Sequence, residues 1–255
     1  MVEFVGPGLP LTQRGVDAAT TSLGVEPAAL WAVLAVETSG CGFLSDRRPK
    51  ILFERHVFSR LTAHRYDADD PDVSQPTAGG YGPGGAYQYG RLMAAIQLDR
   101  AAALQSASWG LGQIMGENHD ACRFAGVEEM AAAMVASEDQ QLAAMAAYLR
   151  AAQMAELLQR QDWSGFARRY NGPNYAAHNY DGLLQQFHAR YSAGPLPDLR
   201  VRAAQAYLQY RGFLSGVIDG VPGPATARAV RAFQASIDVA ESGAIDDALI
   251  AKLSA

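Results

Sequence analysis

The sequence predicts a mostly α-helical protein of two domains, and three observations carry that expectation. Runs of apolar residues at helical spacing, bounded by Gly and Pro, recur along the chain. Residues 126–171 are rich in Ala, Leu and Met, the composition of packed helices. A short Gly/Pro segment, Ser192-Ala-Gly-Pro-Leu-Pro-Asp198, then precedes a tail of different composition. The expected division is a large helical domain at 1–191, a linker at 192–198 and a small helical bundle at 199–255.

Taken in order, residues 11–37 read as two helices separated by Gly24, the second starting near Pro27, whose fixed φ suits a first-turn position. Residues 50–62 have mixed periodicity and fit strand or helix. Asp67 to Gln88 is the clearest loop, with Asp69-Asp-Pro, Gln75-Pro and Gly79-Gly-Tyr-Gly-Pro-Gly-Gly; loops of that length inside a domain are usually functional or disordered. A helical stretch from Tyr87 to Ala107 follows, and the 126–171 helices stop at Asn171-Gly172-Pro173. In the tail, Gly216-Val-Ile-Asp219 is echoed by Gly243-Ala-Ile-Asp246, each Asp placed to start a turn or cap the next helix.

Composition narrows the function. The chain has 255 residues, 49% apolar and 18% charged, with a net charge of −5 and no basic run, so nucleic acid is not an expected partner. Two cysteines, Cys41 and Cys122, are too few for a disulfide framework or a cysteine zinc site, and reduced thiols are favoured over a single bridge. Five histidines (His56, His64, His119, His178, His188) lack the short spacing of a zinc peptidase. No metal or cofactor is expected. The N-terminus has no basic start followed by an apolar run, and no segment approaches the roughly 20 apolar residues of a membrane span. The expectation is a monomer without membrane insertion, made in the cytoplasm without a signal peptide; to act outside it must be let out by another agent.

One residue stands out chemically. Glu37 lies where Trp31-Ala-Val-Leu-Ala-Val breaks into Thr38-Ser39-Gly40. Apolar neighbours and a helix C-terminus both disfavour a carboxylate, so its proton should be held tightly, and a carboxylic acid protonated near neutral pH can protonate a leaving oxygen. A second segment, Ser106-Ala-Ser-Trp-Gly-Leu-Gly-Gln-Ile-Met-Gly116, offers close backbone approach at its glycines, an amide at Gln113 and a flat face at Trp109. Taken alone, it reads first as a tight helix–helix junction around a buried Trp. The third, Trp163 to Tyr175, places Trp163, Phe166 and Tyr170 on one helical face. That stripe fits the core, or Tyr170 and Asn171 point into a cleft.

Together these segments resemble the ordered motifs of soluble lytic transglycosylases and goose-type lysozymes. The likeness is closer to the N-acetylmuramidase family of phage endolysins, through Arg48-Pro-Lys-Ile-Leu-Phe-Glu-Arg-His56, Gly79-Gly-Tyr-Gly82, Arg91-Leu92, Ser106 to Gly116 and Phe166 to Pro173. The resemblance spans nearly all of residues 10–190. It implies a lysozyme-like helical fold with Glu37 as the catalytic acid. Gly112 stands where the transglycosylases usually carry Met, so their contacts do not transfer there. The tail resembles the peptidoglycan-binding type 1 domain through Val201 to Leu208, Gly212 to Thr226 and Ala229 to Gln234, with Pro224 suited to a helix first turn.

The partner implied is peptidoglycan, and the reaction is cleavage of the β-1,4 bond between N-acetylmuramic acid and N-acetylglucosamine. Hydrolysis commonly adds a second carboxylate. Glu54, flanked by Arg55 and His56, is the best candidate, set against a structural ion pair. Substrate contacts are expected from Thr38, Tyr87, Trp109, Gln113, Tyr170 and Asn171. The loop at 67–88, with Tyr81, Tyr87 and Tyr89 in and beside it, either closes over the glycan or is a mobile surface loop. Attack by the muramyl 6-hydroxyl, the transglycosylase route, stays open, as do a non-catalytic wall-binding protein and a peptidoglycan amidase or peptidase.

Overall fold

The computed structural model describes residues 3–38, 40–214 and 216–255. Its first helix, α1 (Gln13–Leu23), begins where Thr12 accepts the amide of Gly15 and ends at Gly24, whose φ of +65° closes the C-terminus. α2 (Pro27–Thr38) opens on Pro27 after a 107° bend. Residues Ala28 to Leu34 are all buried, so α2 is the central helix, apolar all round. α10 (Tyr180–Ala193) packs along it.

The mixed periodicity of 50–62 resolves into both structures: β1 (Ile51–Phe53) runs into α3 (Arg55–Leu61). β1 pairs antiparallel with β2 (Ala107–Trp109), Leu52 opposite Ser108, and β2 pairs with β3 (Ile114–Met115). Strands of two or three residues are too short to show an alternating pattern, which is why they escape a reading by periodicity. The helical stretch expected from Tyr87 to Ala107 is two helices, α4 (Tyr87–Leu98) and α5 (Arg100–Gln105). Asp99 breaks it by adopting extended backbone and capping the amide of Ala102 at 2.9 Å, and Ala107 already belongs to β2.

Four helices follow as expected: α6 (Val127–Ala136), α7 (Glu138–Ala151), α8 (Ala155–Gln159) and α9 (Trp163–Asn171). Gly172, at φ +84°, ends α9. α10 runs on through Ser192 and Ala193, so the linker reduces to residues 194–197 before Asp198 caps α11 (Leu199–Tyr210) by accepting the amides of Arg200 and Val201.

In the tail, α11, α12 (Pro224–Ser236) and α13 (Asp247–Ser254) enclose Leu208, Val230, Phe233 and Leu253. The echoed aspartates take the two roles open to them: Asp246 caps α13 at Leu249, whereas Asp219 turns the chain at Val221. The tail is docked on the large domain. Tyr210 donates to the Gly8 carbonyl at 3.0 Å, and Cys41 and Phe43 share a buried cluster with Ala206 and Ile218. Both cysteines are free and buried. Among the described residues no single helix is long and apolar enough to cross a membrane.

Candidate active site

Glu37 occupies the last turn of α2 and is half-buried. Burial pushes its carboxyl up to about 7, and the side chain of Asn171, donating from Nδ2 to Oε1 at 3.1 Å, partly offsets this. The helix C-terminus acts in the same direction as burial. The side chain of Thr38 lies outside the described residues.

Asn171 is delivered by the apolar stripe of α9. Trp163 and Phe166 are buried, and the ring of Tyr170 stacks on Phe166 at 5.3 Å. Tyr170 then donates its hydroxyl to the Gly112 carbonyl, tying α9 to the 3-10 turn Gly110–Gly112. The body of the stripe is core; at its end the Tyr170 hydroxyl is taken up by the Gly112 carbonyl, and Asn171 meets Glu37. Burial, then the nearby charge of Glu37, holds the Tyr170 phenol well above its ordinary range. Among the described residues the Oδ1 of Asn171 is buried without a hydrogen-bond partner.

The Gly-rich turn is built by packing. A Cβ on Gly112 would meet Met145 Cγ at 2.8 Å, which accounts for glycine here. Gln113 sits at φ +47°; its Nε2 donates to the Gly110 and Lys50 carbonyls at 2.8 and 3.2 Å, and its Oε1 accepts from Ser108 at 3.0 Å. Its amide is therefore committed to shaping the turn. The expectation that Trp109 stacks on a sugar is corrected. The residue is 1% exposed, its indole N–H donates to the Leu104 carbonyl at 3.1 Å, and its ring lies 5.6 Å from that of Phe4. An indole with both faces in the core has none left for a ligand.

Glu54 follows β1 as the cap residue of α3, yet its side chain makes no capping bond. His56 Nδ1 lies 3.1 Å from Glu54 Oε2. Burial raises the carboxyl's pKa, while His56 and the Tyr81 hydroxyl pull it back. The 67–88 loop is pinned rather than free. Asp67 accepts from Ser74 and Ser59, Arg55 donates to the Gly79 carbonyl at 2.9 Å, and Gln88 donates to the Tyr81 and Pro83 carbonyls while accepting the amide of Phe53. Tyr87 is 51% exposed, with its ring against Gly82 and beneath the Arg91 guanidinium at 5.6 Å.

Three features gave no sequence signal. Tyr180, at the start of α10, is close enough to Glu37 for that carboxylate to raise its pKa after burial has done so. Tyr81 was legible as a loop aromatic, but its approach to Glu54, which raises its pKa in the same way, was not. The third is a buried pair between the domains, Glu138 and Arg202, each 1% exposed at the side chain. A cavity of about 800 Å³ also opens at the domain junction, lined by Trp31, Phe187, Tyr191, Pro195, Val217 and Val221 among others; neither Glu37 nor Glu54 lines it. Among the described residues no group of three or more His, Cys, Asp and Glu side chains is placed to hold a metal ion.

Residues 26–192 match the family model for N-acetylmuramidase, and residues 198–253 match that for a peptidoglycan binding domain. The chain is similar to the crystal structure of the endolysin of Burkholderia phage AP3, with 39% identity and a TM-score of 0.68, covering 72% of each chain. A comparison with curated proteins finds no match.

Proposed function

Since this chain belongs to the N-acetylmuramidase family and carries a peptidoglycan-binding domain, we propose that it is a peptidoglycan-lytic endolysin that hydrolyses the β-1,4 bond between N-acetylmuramic acid and N-acetylglucosamine. The observation that carries this reading is Glu37: a half-buried carboxyl with its pKa near 7, held by Asn171 at a helix end. At neutral pH a large fraction of it is protonated, the state a general acid needs.

In this mechanism Glu37 gives its proton to the glycosidic oxygen as the C1–O bond breaks, and positive charge develops on the muramyl ring. Glu54 serves in its ionised form, which His56 and Tyr81 favour against burial. It directs water to C1 or shields the developing charge. The water's oxygen bonds C1 and its proton leaves to a carboxylate, completing hydrolysis. Asn171 aims Glu37, Tyr170 anchors the Gly-rich turn beside it, and the exposed Tyr87 offers a face to a sugar at the pinned loop. Thr38 is adjacent to the acid in sequence and stays a candidate contact.

Glu37→Gln tests the assignment. The variant should sediment with purified sacculi as the parent does while failing to clear them. Lysis at the parental rate by that variant removes Glu37 from the mechanism.

A further inference from the structure

The wall-binding tail reaches into the loop that follows Glu37. Arg202, at the end of the first turn of α11, donates through Nη1 to Glu138 Oε2 and through Nη2 to Glu138 Oε1 at 2.8 Å. The same Nη2 donates to the carbonyl of Gly40, three residues after Glu37. Glu138 in turn accepts the amide of Gly42 at 2.8 Å and that of Leu11 at 2.8 Å. Burial alone would raise this carboxyl, but the Arg202 guanidinium and these amides hold it below its ordinary range. One ion pair thus grips the 40–42 loop from both sides.

The same helix end extends the grip to the Gly-rich turn. Gln141, one turn beyond Glu138 on α7, accepts the amide of Leu111 at 2.8 Å and donates to the Met134 carbonyl at 2.8 Å. Gly40 itself, at φ +87°, has no room for a side chain, because a Cβ would come 2.4 Å from the Ile218 carbonyl of the tail. Beside this contact the junction is hollow, with Trp31, Ala35 and Gly40 facing the 800 Å³ cavity. Docking here therefore rests on the Arg202 cluster, the Tyr210–Gly8 hydrogen bond and the small apolar patch of Cys41, Phe43, Ala206 and Ile218, against which Tyr210 packs, not on a continuous seal.

We propose that the tail is a structural part of the catalytic centre: Arg202 is a positioning residue that fixes the loop behind Glu37, so that the site is complete only with the domains docked. This rests on the assignment of Glu37 as the acid. A tail that merely tethers the enzyme to the wall has no need to bury a guanidinium in the other domain, since removing charges from water is costly; here Nη1 and Nη2 are bonded, while Nε is buried with no hydrogen-bond partner among the described residues.

The test uses the full chain and soluble, uncross-linked glycan fragments, on which wall tethering gives no advantage. Arg202→Met removes the grip directly, and Ala206→Glu forces a carboxylate into the apolar patch while leaving Arg202 in place. Iodoacetamide labelling of Cys41, located by peptide mapping, reports whether the junction has opened. Both variants should lose tenfold or more in kcat with KM nearly unchanged, and should still sediment with sacculi. Their alkaline limb should move to lower pH, because an opened junction admits water beside Glu37. Mere loss of folded protein scales the rate without moving that limb. Arg202→Lys, which keeps the charge but not the fork, serves if Arg202→Met fails to fold, and should fall between parent and Ala206→Glu. Parental kcat and an unmoved limb in a folded Arg202 variant overturn the proposal, whether or not Cys41 labels. Activity surviving Glu37→Gln is a separate result that defeats the assignment of the acid instead.

Discussion

Replacing Asn171 by Leu, which keeps the branching at Cγ but removes the donor, should shift the pH dependence of catalysis in a direction fixed by the geometry. In the parent, Glu37 works as an acid only while protonated, so the rate should fall as pH rises through about 7. The Asn171 hydrogen bond stabilises the ionised carboxylate and so lowers that value from where burial alone would set it. A hydrogen bond to a charged group is worth roughly 1.5–3 kcal/mol, and about 1.4 kcal/mol corresponds to one pH unit. Because Glu37 is only half-buried, the lower end applies, and the alkaline limb should move up by about one unit. The plateau rate should drop by on the order of tenfold, since the carboxyl loses the group that aims it. Initial rates on soluble glycan fragments between pH 4 and 10 measure both effects without the titration of the wall itself. A limb that stays in place, or moves to lower pH, refutes the account of what sets the acid.

Other consequences are equally concrete. Glu37→Gln should cut turnover by on the order of 10²–10⁴, the usual worth of a general acid. The same variant should change stability with a defined sign: a carboxyl raised on folding contributes stability that is present below about 4.5 and lost as pH rises through about 7. Its stability relative to the parent should therefore grow by roughly 3 kcal/mol between pH 4 and pH 8, read by urea unfolding; no change between the two pH values contradicts the burial assigned to Glu37. Glu54→Gln should leave folding intact and reduce hydrolysis by about 10²-fold, while the parent's rate falls on the acid side as Glu54, itself raised in pKa, takes up a proton. Trp109→Phe should cost about 2 kcal/mol through lost volume and the orphaned Leu104 carbonyl, with KM unchanged; a raised KM in a stable variant would return Trp109 to the cleft.

The helical outline was legible because its signals are local. Gly24, Pro27, Gly172 and Pro224 do in the structure what their backbone preferences dictate, and the apolar run of α2 is what the centre of a domain requires. Glu37 was legible for the same reason, as a polar residue at the end of that run. What the chain hides is set by distant partners. Trp109 reads as a ligand platform until Phe4, more than a hundred residues earlier, covers it. Gln113 reads as a free amide until the Lys50 and Gly110 carbonyls claim it. The loop at 67–88 has the composition of a mobile segment, yet Arg55 and Gln88 pin it from elements on either side. Glu138 and Arg202 show nothing locally to announce a buried pair, because each is an ordinary charged residue near the start of a helix.

The identity of the reaction is tested most directly by its products. Purified peptidoglycan digested with the full chain, and analysed by mass spectrometry without reducing the ends, should yield muropeptides ending in reducing N-acetylmuramic acid, and Glu37→Gln should yield none. Muropeptides lighter by one water, as 1,6-anhydro sugars, would contradict hydrolysis and remove the need for Glu54. An absence of glycan cleavage by the parent would contradict the assignment of Glu37 altogether.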